Sequence, residues 1–278
     1  MTGQAPTRYP LNRRIGRRET LALFGGGTVL AFGLSSRPAD ATAAAVAEAI
    51  EKIANGETVE TGRVVVTVPA LPANGRAVPV DIEVAGDPGD VEALHLWADG
   101  NADPAVATFR FSDLAKTARV ATRLRLAGDQ NLVALAEMRD GRLFTASTRV
   151  RVAVAPWLPA AEEQSATPIS PPATRIDVPD SVLKGDGFEV RAMIHHPMET
   201  GRRIDLRTGL PAPRTVLTRF VCRFDDREAF TVDLRPTVAA NPFMSFHLKA
   251  KESGTLHVIW TDDAGAEFTA AAPLRVVG

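Results

Sequence analysis

From Gly62 to its end the chain is written almost entirely in short runs with a period of two, and no other feature constrains the fold as much. "RVVVTVP", "AVPVDIEV", "ALHLWAD", "AVATFRF", "ARVATRLRL", "NLVALAEM" and "LFTASTRVRVAV" follow one another at strand length. Successive side chains on a strand point to opposite faces, so this alternation marks half-buried strands. Between the runs stand Asn74-Gly75, Asp87-Pro88-Gly89, Asp99-Gly100, Gly128-Asp129 and Asp140-Gly141. These residues accept positive φ or preset φ at a turn. Short strands at such spacing predict a sandwich of two antiparallel sheets.

The pattern is interrupted once. Residues 156–173, "PWLPAAEEQSATPISPPA", lose periodicity and gain prolines, which predicts an extended, semi-rigid linker. Strand runs then resume with "RIDVP", "GFEVRAMIHH", "RTVLTRFVCRF", "EAFTVDL", "FMSFHLKA", "TLHVIWTD" and "EFTAAAPLRVV". A second sandwich is the simplest reading. The halves close alike, on "DGRLFTASTRVRV" and "DAGAEFTAAAPLRVV". One short amphipathic helix is expected in "TAAAVAEAIEKIANG", with Asn55-Gly56 as its C-cap. The expected fold class is therefore all-β: two immunoglobulin-like antiparallel β-sandwich domains with one short N-terminal helix.

Ahead of the helix, "NRRIGRRETLALFGGGTVLAFGLSSRPADA" has the three parts of an export signal: an arginine-rich start, an apolar core and a small-x-small end at Ala39-Asp40-Ala41. The apolar core, Leu21 to Leu34, falls short of the roughly 20 residues that a membrane helix needs. Arg17-Arg18 followed by Leu21 looks like a twin-arginine signal, an address read by a receptor and not an anchor. The expected division is a signal peptide at 1–41, sandwiches at 42–155 and 174–278, and the linker at 156–173. Lys and Arg number 32 against 33 Asp and Glu, a net charge of −1. Loss of residues 1–41 leaves 26 against 31, or −5. A balanced or acidic chain does not suggest a phosphate-binding surface, so nucleic acid is not an expected partner. A periplasmic location with no membrane anchor after cleavage is expected.

Little in the chain reads as catalytic. The only cysteine is Cys222, in "RFVCRF". On a strand it shares a face with Phe220 and Phe224, the core side, where an apolar setting raises a thiol's pKa and leaves it inert. A lone cysteine also forms no internal disulfide and no thiol-metal cluster. His195 and His196 are neighbours, so a strand turns them to opposite faces; His95, His247 and His257 stand singly in strand runs. No metal-ligand spacing, Gly-rich phosphate loop or G-x-S-x-G is present. Catalytic residues, metal and cofactor are all expected to be none. One segment stands out: "IHHPMETGRRIDLRTGLPAPR", residues 194–214, a long connection between strands with Met198 expected exposed. Loops of this length are commonly functional, and a binding loop is expected here.

At these residues the chain resembles a known family. "HPMETGRR", "FVCRFDDREAFTVDLRPTVAANPFMSFHLK" and "SGTLHVIWTDDAGAEFTA" resemble SoxZ. "PANGRAVPVDIEV", "LHLWADGNADPAVATFRF", "RLRLAGDQNLVALAEMRDG" and "LFTASTRVRV" resemble SoxY. The whole looks like SoxY and SoxZ fused. The resemblance implies a non-catalytic carrier of thiosulfate oxidation, in which two β-sandwich proteins pair in the periplasm. The SoxY arm of that family, Gly-Gly-Cys-Gly-Gly after its last strand, carries sulfur on its cysteine. Here the place reads "APWLP", with Trp157 where the cysteine belongs. Glycines give such an arm its freedom, and Pro156 and Pro159 take it away. The expectation is a tether between the halves, which raises their effective concentration, with no sulfur attachment at Trp157. Cys222 is the one remaining candidate for sulfur attachment, and a metal-dependent enzyme at an inter-domain cleft, using His195 or His196, is the reading of another class. The expected partner-binding residues are His196, Pro197, Met198, Glu199, Thr200 and Gly201. Expected partners are periplasmic sulfur-oxidising or redox enzymes, Sox-type or a quinoprotein dehydrogenase.

Overall fold

The computed structural model describes residues 38–153, 172–205 and 208–278. The expected signal peptide up to Arg37, and the expected linker with Trp157 up to Pro171, lie outside the described residues. Helix α1 runs Pro38–Ala54, four residues earlier than the expected start at Thr42. Proline is tolerated in a first helical turn, where its missing N–H has no partner to lose. The helix stops where Asn55 and Gly56 turn left-handed, at φ 47° and 91°. Val46, Ala49, Ile50, Ile53 and Ala54 recur on one face and pack on Trp97, Val133, Leu135 and Leu143.

The remainder is strands. In the first half they are β1 (Val59–Thr61), β2 (Val64–Thr67), β3 (Val78–Val84), β4 (Val91–Ala98), β5 (Ala105–Phe111), β6 (Ala115–Leu124), β7 (Gln130–Met138) and β8 (Leu143–Val150). In the second half follow β9 (Thr174–Asp177), β10 (Ser181–Leu183), β11 (Gly187–Ile194), β12 (Leu217–Phe224), β13 (Arg227–Leu234), β14 (Phe243–Lys249), β15 (Gly254–Asp262) and β16 (Glu267–Val277). The chain is all-β, built of immunoglobulin-like halves. Every strand run in the sequence forms a strand. β1 and β10 are additions, short parallel partners of β8 and β16.

The two halves do not sit apart on either side of a linker. Both sheets run through them: one of ten strands in the order β1-β8-β7-β4-β5-β13-β12-β15-β16-β10, one of six in the order β2-β3-β6-β14-β11-β9. The join is antiparallel in each. On one sheet Phe111 pairs with Phe230 and Phe109 with Val232; on the other Val120 pairs with Phe246 and Ala121 with Ser245. A period-two pattern fixes which face a residue takes but not which strand lies alongside, so this continuity is invisible in the text.

One core fills the space between the sheets across the join. Phe109, Phe111, Phe230 and Phe246 meet there, with Phe230 and Phe246 ring centroids 4.3 Å apart and Phe111 and Phe230 5.3 Å apart. Phe220 extends the cluster to Trp260 at 4.4 Å. Burying one such ring contributes about 1.5–3 kcal/mol, with a further increment from ring geometry. Side chains with polar tips line the outer faces, and α1 covers the first half's share of the larger sheet.

Candidate functional site

Between β11 and β12, residues 195–205 make a tight turn and a first stem, and residues 208–216 a second stem bridged to it at Ile204 and Pro211. Their base is a buried lock. His195 is exposed and His196 is buried, as a strand's alternation turns them. His196 Nδ1 accepts the Met198 N–H at 3.1 Å, so the ring's proton sits on Nε2, 3.3 Å from Thr215 Oγ1. The His196 backbone exchanges bonds with Asn241, N–H to Oδ1 at 3.1 Å and O from N–H at 2.8 Å. Burial holds the imidazole pKa below its ordinary value; Asp262 and Asp263 oppose this, and Arg125 adds to it.

Met198 does not face solvent, contrary to expectation. It is fully buried, with φ at 50°, and its Sδ accepts the Leu217 N–H at 3.3 Å. A bulky residue in left-handed backbone is strained and persists only where its surroundings hold it. Arg125, from the first half, supplies that hold: its Nη1 and Nη2 donate to the carbonyls of Met198 and Pro197, each at 2.7 Å. The stretch expected to bind a partner therefore divides. His196 and Met198 anchor; Pro197 is exposed, and Glu199, Thr200 and Gly201 are half-buried. The solvent-facing part is the bridged pair of stems beyond them, which sequence reading placed only within a long loop.

Arg203 Nε bonds Glu199 Oε2 at 2.7 Å and Arg214 Nε bonds Asp263 Oδ2 at 3.0 Å, bracing the two stems. Ala212 N–H donates to Arg203 O at 2.8 Å, and Asp205 N–H to Leu210 O at 2.9 Å. Ile204 pairs with Pro211 as an isolated antiparallel bridge. Ile204 is 49% exposed and Leu210 65%, among the few large aliphatic side chains that the described residues leave in solvent.

Cys222 lies in the core on β12, paired with Phe230 on one side and Val258 on the other. It is fully buried, and burial pushes its pKa up to about 12. Phe220 is buried on the same side and Phe224 packs partly buried against the core. For the alternative of a metal-dependent enzyme between the halves, the described residues offer no group of three or more His, Cys, Asp or Glu placed to hold an ion. His95 does have a carboxylate neighbour. Its Nε2 lies 3.5 Å from Glu137 Oε2 and its Nδ1 3.1 Å from Thr108 Oγ1. These partners come from adjacent strands, out of reach of any local spacing rule. A shallow groove of about 470 Å³ on the smaller sheet is lined by Thr67, Pro69, Pro79, Asp81, Arg123 and Phe243, with the Arg123 guanidinium 5.0 Å from the Phe243 ring centroid.

Comparison with known families supplies what geometry alone does not. Residues 50–155 match the family of sulfur oxidation protein SoxY, and residues 176–273 that of sulphur oxidation protein SoxZ. The chain belongs to the SoxY and SoxZ families, fused in one polypeptide. It is a sulfur-oxidation protein. The SoxY match takes in the end of α1 and all of β1–β8, and the SoxZ match runs from β9 into β16; the two halves are called SoxY and SoxZ accordingly. A search of curated protein sequences finds no significant match. Among solved structures, the sulfur carrier protein SoxY from Chlorobium limicola f thiosulfatophilum is 25% identical, covering 41% of this chain and 97% of its own, with a TM-score of 0.36. A superoxide reductase (neelaredoxin) from Ignicoccus hospitalis is 20% identical over 37% of this chain and 80% of its own, TM-score 0.29. A putative superoxide reductase from Thermotoga maritima is 13% identical over 38% and 86%, TM-score 0.27.

Proposed function

We propose that this fused SoxYZ protein is an exported, periplasmic and non-catalytic platform of sulfur-compound oxidation, which docks partner enzymes without carrying sulfur covalently. One observation carries the reading. The sole cysteine is sealed in the core with a pKa pushed up to about 12. Sulfur carriage needs a thiolate that a partner's active site can reach, and neither condition is met at Cys222. Trp157, in the place of the family's arm cysteine, has no nucleophile to offer. The arginine-rich start and the small-x-small end at Ala39-Asp40-Ala41 support export. The partners it would hold are Sox-type enzymes of thiosulfate oxidation or an exported redox enzyme such as a quinoprotein dehydrogenase.

The test is direct. Mature protein is incubated with thiosulfate and the host's own Sox enzymes, and its intact mass is measured with and without reductant. Unchanged mass is expected. A gain of one or more sulfur atoms that reductant reverses would overturn the reading and return the protein to the carriers.

A further inference from the structure

We propose that the groove on the outer face of the six-stranded sheet, between β2 and β14, is a docking site for an amphipathic helix of a sulfur-oxidising partner enzyme, one with a carboxylate beside its apolar stripe. This rests on the platform reading above and names the contact it would use. Along β2 buried and exposed residues alternate, which puts Val65 and Thr67 on the outer face. Thr67 and Pro69 line one side of the groove, and Val65, 59% exposed, extends that wall. The Phe243 ring, at the start of β14, lines the other side. Between them the floor is low, with Pro79 of β3 and Ala121 of β6. One wall belongs to the SoxY half and the other to the SoxZ half, so the groove exists only because the sheet crosses the join.

Its shape selects a helix. A sheet's face offers side chains and no free N–H or C=O, so a single extended segment laid on it would bury its own peptide groups unpaired; a helix satisfies its own. β2 and β14 stand three strand spacings apart in the order β2-β3-β6-β14, about 14 Å, and a helix with its side chains is about 10–12 Å across. The larger sheet already carries a helix in this way, α1 packing Ile50 and Ile53 on Trp97 and Leu135. Among the described residues no helix covers the smaller sheet.

Charge selects the carboxylate. Asp81, which also lines the groove, is already taken: both its oxygens accept from Arg119 Nε at 3.0 Å. Arg123, directly across from Pro79, lays its guanidinium over the Phe243 ring at 5.0 Å and has no carboxylate partner among the described residues. An apolar groove with one uncommitted cation on its wall is complemented by an apolar stripe with an acidic residue alongside.

The experiment uses the full mature chain, immobilised, with each purified Sox enzyme of the host flowed over it in turn. Arg123→Glu is expected to weaken the binding of at least one enzyme about tenfold, with an effect that fades as salt is raised. Pro79→Glu sets a carboxylate directly across from Arg123, answers its charge within the chain and is expected to weaken the same enzyme similarly. Val65→Ser trims the apolar wall and is expected to weaken it severalfold. Leu183→Ser, at an aliphatic equally exposed at 59% on the far edge of the larger sheet, is expected to leave affinity unchanged. Val65, Pro79 and Arg123 are exposed, so thermal midpoints should match wild type. If the enzymes bind wild type and the Val65→Ser/Arg123→Glu double variant alike, or if Leu183→Ser weakens binding as much, the groove is not the contact and the platform reading stands. Two other results would overturn the inference: a wild-type dimer that Arg123→Glu dissolves, which seats a second copy in the groove, or groove variants that lower the thermal midpoint and leave enzyme binding alone, which seats a segment of this chain there. If wild type binds none of the enzymes, the platform reading falls and takes this inference with it.

Discussion

Native Cys222 should resist alkylation by at least about a thousandfold relative to the unfolded chain, and the two routes to reaction set that figure. In place, the thiol with a pKa of about 12 is thiolate at about one part in ten thousand at about pH 8, against about one in four for a thiol near its usual value. The surrounding core blocks the reagent as well, since Cys222 has no exposed surface. By opening, the thiol regains ordinary reactivity, but a domain stable by about 5 kcal/mol or more is open less than about one part in a thousand. Whichever route is faster, a thiol reagent that labels denatured protein within seconds should need hours on native protein. Colour release from a disulfide reagent, with and without guanidinium, reads this out. Cys222→Ala then checks the biology: it trims a core side chain at a cost of about 1 kcal/mol and should leave thiosulfate-dependent growth unchanged. Stoichiometric native labelling at the denatured rate would refute the burial reasoning, and loss of growth with a folded Cys222→Ala protein would refute its functional consequence.

The remaining expectations concern the join and the lock. Phe230→Ala, which empties the aromatic cluster where the halves meet, should cost about 3–5 kcal/mol and lower the thermal midpoint of the whole protein. Urea unfolding followed through Trp97 in the SoxY half and Trp260 in the SoxZ half, in a Trp157→Phe background, should give one coincident transition, because both sheets and the core cross the join; two separated transitions would show independent halves. His196, held neutral by burial, takes up its proton more readily in the unfolded chain, so stability present above pH 6.5 should be lost as pH falls from there toward the lower folded value. His95, lowered also by burial, pulls in the same direction. His196→Asn keeps an oxygen acceptor for the Met198 N–H and should flatten the fall in thermal midpoint between neutral and mildly acid buffer; an unchanged slope would clear His196 of that role.

Strand positions were legible because each run of valines and its partners repeats every second residue, and the turns between them carry Asn-Gly or Asp-Gly. β1 and β10 were not, since three residues hold too little periodicity and their parallel pairing follows from tertiary placement. Cys222 was placed correctly in the core because Phe220 shares its parity. Met198 was not: "HPMETG" reads as a polar loop, and only the fold shows that Arg125 and His196 draw its backbone inward. The two exposed aliphatics of the bridged stems carry no local mark either. An isoleucine in an unpatterned segment reads the same whether a core or a partner covers it.

The two sheets that cross the join also govern how the protein is made. Until the second half leaves the ribosome, β5 and β6 each present a bare edge, with Phe109 and Phe111 beside them still lacking Phe230 and Phe246. Bare edges next to aromatic surface invite aggregation between nascent chains. With both halves on one message, the missing strands arrive on the same molecule in a fixed ratio of one to one. The vulnerable interval is then set by the speed of translation and not by a search for a separate subunit.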